Sequence, residues 1–432
     1  MHSKIVIIGG GAGGLELACK LGRKLGPEQV MLVDCRLYHI WKPSLHEVAA
    51  GTLDIHQEGL SYQMLAHDNH FTFVYGALKG LDAAARCVTV GAVLGETQET
   101  LLPERRIGYE SLVLAIGSTA NYFGVPGAQQ YTIALNATED AERFRLRTLK
   151  LLTEAELRKE HHADAGVDIV IIGGGATGVE LAAELREASG VYLTYGFQQL
   201  QAMQDVRITL LEGAPRILAP LPDKVSDAAL KLLHERAITV VTDTRVTAID
   251  HRQVTVADGT VYKADICVWA AGIKAPEVLA GLGLPTTRSG QIEVDGKLAV
   301  QGHPNIYALG DCAACVGADG KLVPPRAQAA HQMADYLRAA LLARAGGSAP
   351  STKPYVYRDY GSLVSFGHST TVGSLMGSLK GLSWFVDGFI ARTMYVSLHL
   401  MHHQAVLGTV RTGVLALARF LIKRSTPLVK LH

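Results

Sequence analysis

An α/β fold built around two nucleotide-cradling strand–turn–helix units is what this 432-residue sequence predicts, on three observations. The segment KIVIIGGGAGGLELACKLG opens the chain with a β-branched run, Ile5–Ile8, then a glycine turn, then a helical pattern through Leu15, Leu17, Ala18 and Leu21. DIVIIGGGATGVELAAELRE (168–187) repeats that design about 160 residues later, an internal duplication of one supersecondary unit. Each unit is followed by an apolar strand ending in an acid, Asp34 in QVMLVDCR and Glu212 in VRITLLEG. Strands that alternate with helices in this way form a parallel sheet with helices on its faces.

In the first unit Gly9, Gly11 and Gly14 hold the G-x-G-x-x-G positions, with Ala12 and Gly13 between them. Glycine there permits the tight turn, the close approach of backbone to a pyrophosphate, and helix–strand packing. The helix N-terminus adds unpaired N–H groups and a positive dipole end. Asp34, twenty residues after Gly14, is placed to accept both hydroxyls of a ribose. The second unit has Gly173, Gly175 and Gly178 in the same frame, and its acid, Glu212, comes later because SGVYLTYGFQQLQAMQD lengthens the region between. A carboxylate at that position accepts ribose hydroxyls and repels a 2′-phosphate. No Lys or Arg directly follows it (Gly213, Ala214, Pro215, with Arg216 near), which favours NADH over NADPH. Two such sites imply one tightly held dinucleotide and one that visits.

Three further apolar strands close on glycine: SLVLAIGS (111–118) with Ala115 and Gly117, ICVWAAGI (266–273) with Gly272, and NIYALGDC (305–312) with Gly310 and Asp311. The turn-rich STANYFGVPGAQQ (118–130) marks a crossing between domains, and a second crossing is expected near Leu282–Gly290. The simplest topology is a discontinuous first dinucleotide-binding domain (1–120 and 290–345), a second such domain inserted in it (121–289), and a C-terminal module (346–432).

With 41 basic and 40 acidic residues the formal net charge is +1, so no global field argues for nucleic acid. The six cysteines are Cys19, Cys35, Cys87, Cys267, Cys312 and Cys315; only the last two are close, so no disulfide framework is visible and a reducing compartment fits. The Cys312-x-x-Cys315 pair supplies half of a structural zinc site, and no second pair is spaced to finish it. No metal is assigned, and both are read as structural thiols. No signal peptide precedes the first strand. No uninterrupted apolar run reaches the ~18 residues of a spanning helix.

The tail changes composition. From Lys380 onward seven Lys/Arg (Lys380, Arg392, Arg411, Arg419, Lys423, Arg424, Lys430) face one acid, Asp387. On a helical wheel Val410, Val414, Leu417, Ala418 and Leu421 fall on one side, and Arg411, Arg419 and Lys423 largely on the other. That pattern predicts a basic amphipathic helix lying in the interface of an anionic bilayer, within membrane-surface helices spanning about 381–425. Trp384, Phe385, Phe389, Met394 and Tyr395 predict a preceding helix with aromatic anchors, and His402–His403 a polar strip near headgroups.

The opening fingerprint, followed much later by YALGDCA, resembles the flavoproteins with two dinucleotide-binding domains. PPRAQAAHQMADYL (324–337), with Ala327, Gln328, Ala330 and Gln332 on an A-Q-x-A-x-Q pattern, resembles the bacterial type II NADH:quinone oxidoreductases among them. HIWKPSLHEVAAGTLD and DYGSLVSFGHSTTVGSLMG look like the same branch, so the resemblance covers essentially the whole chain. It implies hydride transfer from NADH to a tightly but non-covalently held FAD, and two electrons from reduced flavin to a membrane quinone, without proton pumping. It places Gly310 and Asp311 at the ribityl–pyrophosphate region, Ala77 of FVYGALKGLD near the adenine, and Lys42 near the flavin ring. Ala115, Gly117, Ala327 and Gln328 join the FAD set, and Gly272 the NADH set. The helix after Pro324 and Pro325, two prolines suited to its entry and first turn, would point its positive end at the pyrimidine edge of the flavin. Gln328 and Gln332, four apart on one helical face, carry neutral amides that can donate to quinone carbonyls, and small Ala327 and Ala330 leave room for a flat ring. Glu180, on the first turn of the second cradle helix, is implied in NADH positioning or proton delivery.

The resemblance further implies a monotopic protein on the cytoplasmic side of a cell inner membrane, with a homodimer as the default assembly. Disulfide reductases of the superfamily carry a cysteine pair in the region that reads LYHIWKPSLHEVAAG here, with no cysteine, or in the pyridine-nucleotide domain, which has only Cys267. A dithiol relay is therefore disfavoured, and so is a sulfide:quinone oxidoreductase. From another class, a flavin-binding redox sensor or an apoptosis-inducing-factor-like interaction protein is the alternative.

Overall fold

The opening run forms strand β1 (His2–Ile8), and the glycine turn feeds directly into helix α1 (Ala12–Leu25). The computed structural model describes residues 1–318, 320–349, 351–367, 371–376, 383–425 and 429–430. β2 (Val30–Asp34) runs parallel to β1, helix α2 (Leu45–Ala50) follows, and β3 (Thr72–Tyr75) pairs with the far side of β2. β4 (Arg105–Leu114) lies parallel on the other side of β1. Val6, Ile7 and Leu112 are fully buried, which suits a parallel sheet covered on both faces.

The duplicated unit builds a second sheet. β5 (Ile133–Ala134), α3 (Thr138–Lys159), β6 (Val167–Ile172), α4 (Ala176–Gly196), β7 (Val206–Leu211), α5 (Asp223–Glu235), β8 (Ile238–Val241) and β9 (Ile266–Trp269) follow in turn. The strands make a five-stranded, all-parallel sheet in the order β5-β9-β6-β7-β8. The chain then rejoins the first sheet through β10 (Ala299–Val300) and β11 (His303–Ala308), giving the path β10-β11-β4-β1-β2-β3.

The two crossings lie side by side, Thr119–Ala120 pairing antiparallel with Ile273–Lys274. The return therefore comes earlier than the turn residues near 282–290 suggest. Ala275, Leu279, Leu282 and Leu284 already pack into the first core beside Val6, Ile8 and Val33. Turn residues mark where the chain bends; buried leucines mark the core to which it belongs.

Helix α6 (Ala327–Ala345) packs along α1, and Leu337 and Leu341 share a core with Leu15 and Leu17. Arg326 is extended at its N-cap, so Pro324 and Pro325 stand ahead of the helix and not in its first turn. The C-terminal module opens with an antiparallel sheet, β12 (Gly361–Ser365), β13 (Thr371–Met376) and β14 (Ser383–Asp387), which leads into α7 (Gly388–Leu407) and α8 (Thr409–Ser425). Gly408, at φ +81°, makes the bend between the two helices.

Two readings of the tail change. Residues 383–387 are a strand and not the start of a helix, because aromatic and β-branched residues serve an edge strand as readily as an anchor. The side chains of Trp384, Phe385, Phe389, Arg392, Lys423 and Arg424, and Lys380 entirely, lie outside the described residues. His402 and His403 are each 4% exposed and point into the protein, not to headgroups. α8 has the opposite polarity to an ordinary surface helix. Arg411 pairs with Asp68 and Arg419 with Glu58, while Val410 (80% exposed), Val414, Leu417 and Leu421 (58%) face outward. No helix among the described residues is long and apolar enough to cross a membrane.

Candidate active site

The two glycine turns have the same construction. In α1 the first intrahelical bond runs from Leu15 N–H to the Gly11 carbonyl, and in α4 from Val179 N–H to Gly175, so the preceding N–H groups open toward the helix mouth. A Cβ on Gly14 would run into the Gly9 carbonyl, and one on Gly178 into that of Gly173, so these glycines bring helix onto strand. Gly11 and Gly175, by contrast, face open space, room for a phosphate against bare backbone. The following acids repeat the pattern. Asp34 accepts Gly10 N–H (2.6 Å) and Arg36 N–H (2.8 Å), whereas Glu212 accepts Gly174 N–H (2.5 Å) and Ala214 N–H (2.7 Å). Burial raises the pKa of Asp34, and its two backbone N–H partners pull it back. Each carboxylate keeps lone pairs for ribose hydroxyls, so both donor sets fit a dinucleotide.

At the carboxyl ends of β4 and β11, Asp311 accepts the Ser118 hydroxyl (2.7 Å), and Lys42 Nζ donates to the Ser118 carbonyl (3.2 Å). Lys42, Gly117 and Asp311 thus come together where open α/β sheets take their ligands. Gly310 has φ +70° and donates its N–H to Met333 Sδ on α6 (3.3 Å). Ala12 and Ala327 are the first residues of α1 and α6; Ala115 continues β4, its N–H bonded to the Ile8 carbonyl (2.7 Å). Ala77 lies exposed beyond β3, and the Gly272 carbonyl accepts Asn121 N–H (3.0 Å) at the crossing.

Glu180, Gln328 and Gln332 meet on one segment, residues 358–365, which enters and forms β12. Gln332 holds both backbone polar groups of Arg358, donating to its carbonyl (2.8 Å) and accepting its N–H (2.9 Å). Gln328 donates to the Gly361 carbonyl (3.1 Å) and Asp359 Oδ1 (3.3 Å) and accepts Tyr360 N–H (3.3 Å). At the other end of β12, Ser365 N–H donates to Glu180 Oε1 (3.1 Å). The amides expected to face quinone are thus engaged by this strap. Glu180 is 7% exposed, and burial pushes its carboxyl up to about 8, so it holds its proton at neutral pH. His46 Nδ1 stands 3.6 Å from Glu180 Oε2, and burial drives that imidazole down to about 4, leaving it neutral.

His46, Ser118, Ser365, His39 and Tyr62 were missed by residue-level reading. Only the proximity of His39 and His46 to Lys42, in the resembling stretch HIWKPSLHEVAAGTLD, offered a signal. Cys312 and Cys315 are buried free thiols, pushed up to about 11 by burial; Cys312 Sγ donates to the Leu309 and Leu114 carbonyls (3.3 and 3.4 Å). Neither has thiolate character at neutral pH. Two groups among the described residues come within metal-ligand reach, Glu58–His399–His403 and Glu16–His331–Asp335. Each already contains a cation, Arg419 or Lys20, that compensates its carboxylates.

Paired dinucleotide cradles at the carboxyl ends of two parallel sheets define a pyridine-nucleotide-dependent oxidoreductase, and residues 3–334 match the pyridine nucleotide-disulphide oxidoreductase family. A type II NADH:quinone oxidoreductase of Haemophilus influenzae is 37% identical over 99% of this chain and 99% of its own. The type II NADH:quinone oxidoreductase Ndh of Mycobacterium tuberculosis is 29% identical over 92% of this chain and 84% of its own. The structure of NDH2 from Plasmodium falciparum in complex with NADH superposes with a TM-score of 0.82 at 18% identity, covering 99% of this chain and 100% of that one, and shares the fold. The chain belongs to the type II NADH:quinone oxidoreductases: it oxidises NADH and reduces a quinone.

Proposed function

We propose that the first cradle, with Gly9, Gly11, Ala12, Gly13, Gly14, Asp34, Gly310 and Asp311, holds FAD, and that the second, with Gly173, Gly175, Gly178 and Glu212, receives NADH. A bound flavin supplies the two-electron chemistry between NADH and quinone. The protein's own residues orient the partners and handle protons. Reduction of a quinone to its quinol takes two protons, and Glu180, protonated near neutral pH beside neutral His46, is suited to deliver one. Gln328 and Gln332 shape the quinone edge by holding the strap 358–361, and an incoming carbonyl competes for the Gln328 amide.

The outward apolar strip of α8 supports peripheral seating on a lipid surface, where a lipid-dissolved quinone is reached. We place that seat on the cytoplasmic side of the inner membrane, in a homodimer, with residues 1–120 and about 275–345 as the FAD domain and 346–432 as the separate C-terminal module. The observation that carries the reading is β12, one strand in contact with Glu180 at one end and the glutamine helix at the other. Separate half-reactions test it. In Gln328→Ala with Gln332→Ala, bleaching of the flavin by NADH stays near wild type and reoxidation by a short-chain quinone slows about tenfold or more, the loss of one or two hydrogen bonds. Equal losses in both half-reactions overturn the quinone assignment.

A further inference from the structure

We propose that His39 and His402 are positioning residues for the flavin: this buried imidazole pair fixes the Gly10–Gly11 peptide of the first cradle and ties it to tail helix α7. The inference rests on the reading that this cradle holds FAD.

The Gly10 carbonyl is met by His39 Nδ1 (2.9 Å) and the Tyr62 hydroxyl (2.7 Å). A carbonyl only accepts, so Nδ1 of His39 carries the proton. In a neutral imidazole the other nitrogen is then an acceptor. His402 Nε2, 2.9 Å from His39 Nε2, is therefore the donor. The hydrogen bonds run one way, from His402 to His39 to Gly10. Both rings are 4% exposed, and Trp41 covers His402 with ring centroids 4.4 Å apart. Burial lowers the pKa of both rings, His39 to about 4, in keeping with two neutral imidazoles.

What the pair fixes follows from peptide geometry. In a planar trans peptide the C=O and the next N–H point in opposite directions. With the Gly10 carbonyl held inward, the Gly11 N–H is aimed out into the mouth of α1, where a pyrophosphate takes its donors. The second cradle reaches the same end locally, since the Gly174 carbonyl accepts Leu218 N–H (2.7 Å). Only the first draws on a helix 363 residues away. That helix is seated independently: the Val406 side chain is fully buried in the core around α1, and its carbonyl accepts Arg23 Nη2 (3.0 Å). Docking of α7 and retention of flavin are therefore coupled.

The experiment strips the full-length protein of flavin and titrates FAD back by fluorescence quenching, comparing wild type, His402→Leu and His402→Gln. In the leucine variant the buried His39 acceptor loses its donor, and FAD binding weakens about tenfold. Glutamine, whose amide can donate from nearly the same place, restores most of it. KM for NADH at saturating FAD is unchanged in both. His402→Phe, similar in size and without a donor, stands in should the leucine variant fail to fold. Equal FAD affinity in all variants overturns the proposal, and so does equal weakening by leucine and glutamine, the outcome of a purely space-filling role. Failure of the wild type itself to rebind FAD would instead sink the cofactor assignment.

Discussion

The two cradles share one turn and differ in what holds it. In the second, everything that fixes the Gly174 peptide comes from the stretch 212–218, Glu212 on its N–H and Leu218 on its carbonyl. In the first, the Gly10 peptide is held by Asp34, Tyr62 and His39, and His39 by His402 near the C-terminal end of the chain. The duplication kept the phosphate-facing geometry and let the support diverge. A mouth braced from several parts of the fold is preorganised and slow to release its ligand, whereas one built from local contacts can re-form at each visit. That is the division of labour expected between a resident cofactor and a substrate that exchanges.

The comparison breaks most sharply at the third glycines. Gly14→Ala and Gly178→Ala each push a Cβ into a backbone carbonyl that cannot move aside. Overpacking of this kind costs ~3 kcal/mol or more, on the order of a hundredfold in affinity. Gly14→Ala protein is expected to purify without flavin absorbance; Gly178→Ala keeps its colour but needs about a hundredfold more NADH. Swapped outcomes would reverse the cofactor assignment.

The acids come next. Glu212→Gln removes the charge and one of two acceptors, so KM for NADH should rise about tenfold and discrimination against NADPH should fall. Asp34→Asn should loosen flavin by less, because His39 and Tyr62 still hold Gly10. Equal effects would show that the extra braces do nothing.

Glu180 separates the cradle helices in another way: its counterpart on α1, Glu16, is paired with Lys20 and His331, whereas Glu180 accepts Ser365 N–H and faces the neutral ring of His46. Its carboxyl is raised from the ordinary 4.5 to about 8 by burial. Between those values the unfolded chain binds fewer protons than the folded one, so stability falls as pH rises and levels off above about 8. Glu180→Gln lacks that slope. Its unfolding free energy relative to wild type, measured by denaturant titration, should climb between about pH 5 and 8, with a slope of at most ~1.4 kcal/mol per pH unit. A constant difference across that range would mean that the carboxyl is ionised in the fold.

How much of this was legible in the sequence follows the distance over which each feature is built. Both cradles were readable because strand, glycines and acid lie within one short stretch, and the spacing itself states the geometry. Glu180, Gln328 and Gln332 were legible as candidates through resemblance, but their meeting on β12 was not, since nothing local in DYGSLVSFGH says which helix it will touch. The His39–His402 contact joins residues that no periodicity relates. His402 and His403 were misplaced because the basic, amphipathic residues around them set the expectation, and only packing on α1 turned them inward. The return crossing was misplaced for a similar reason: glycine and proline are visible as turns, whereas the core chosen by Leu279 and Leu282 is a tertiary fact.

The smallest effect is expected where the sequence drew most attention. Cys312 and Cys315 sit between Asp311 and the glutamine helix, so a dithiol there would make the first cradle a site of chemistry as well as of retention. The geometry argues against it. Cys312 is fully buried, its thiol is occupied by the Leu114 and Leu309 carbonyls, and both groups are pushed up to about 11. A serine hydroxyl can donate to the same two carbonyls, so Cys312→Ser with Cys315→Ser costs mainly the burial of a more polar atom, about 1–2 kcal/mol of stability. NADH:quinone turnover should stay within about twofold of wild type, as for changes that spare the reacting groups. The rate of flavin reduction by NADH in rapid-mixing absorbance is the discriminating measurement. A large fall in that rate, in protein that still binds FAD normally, would put the thiols back in the electron path and end the reading of the first cradle as a holding site alone.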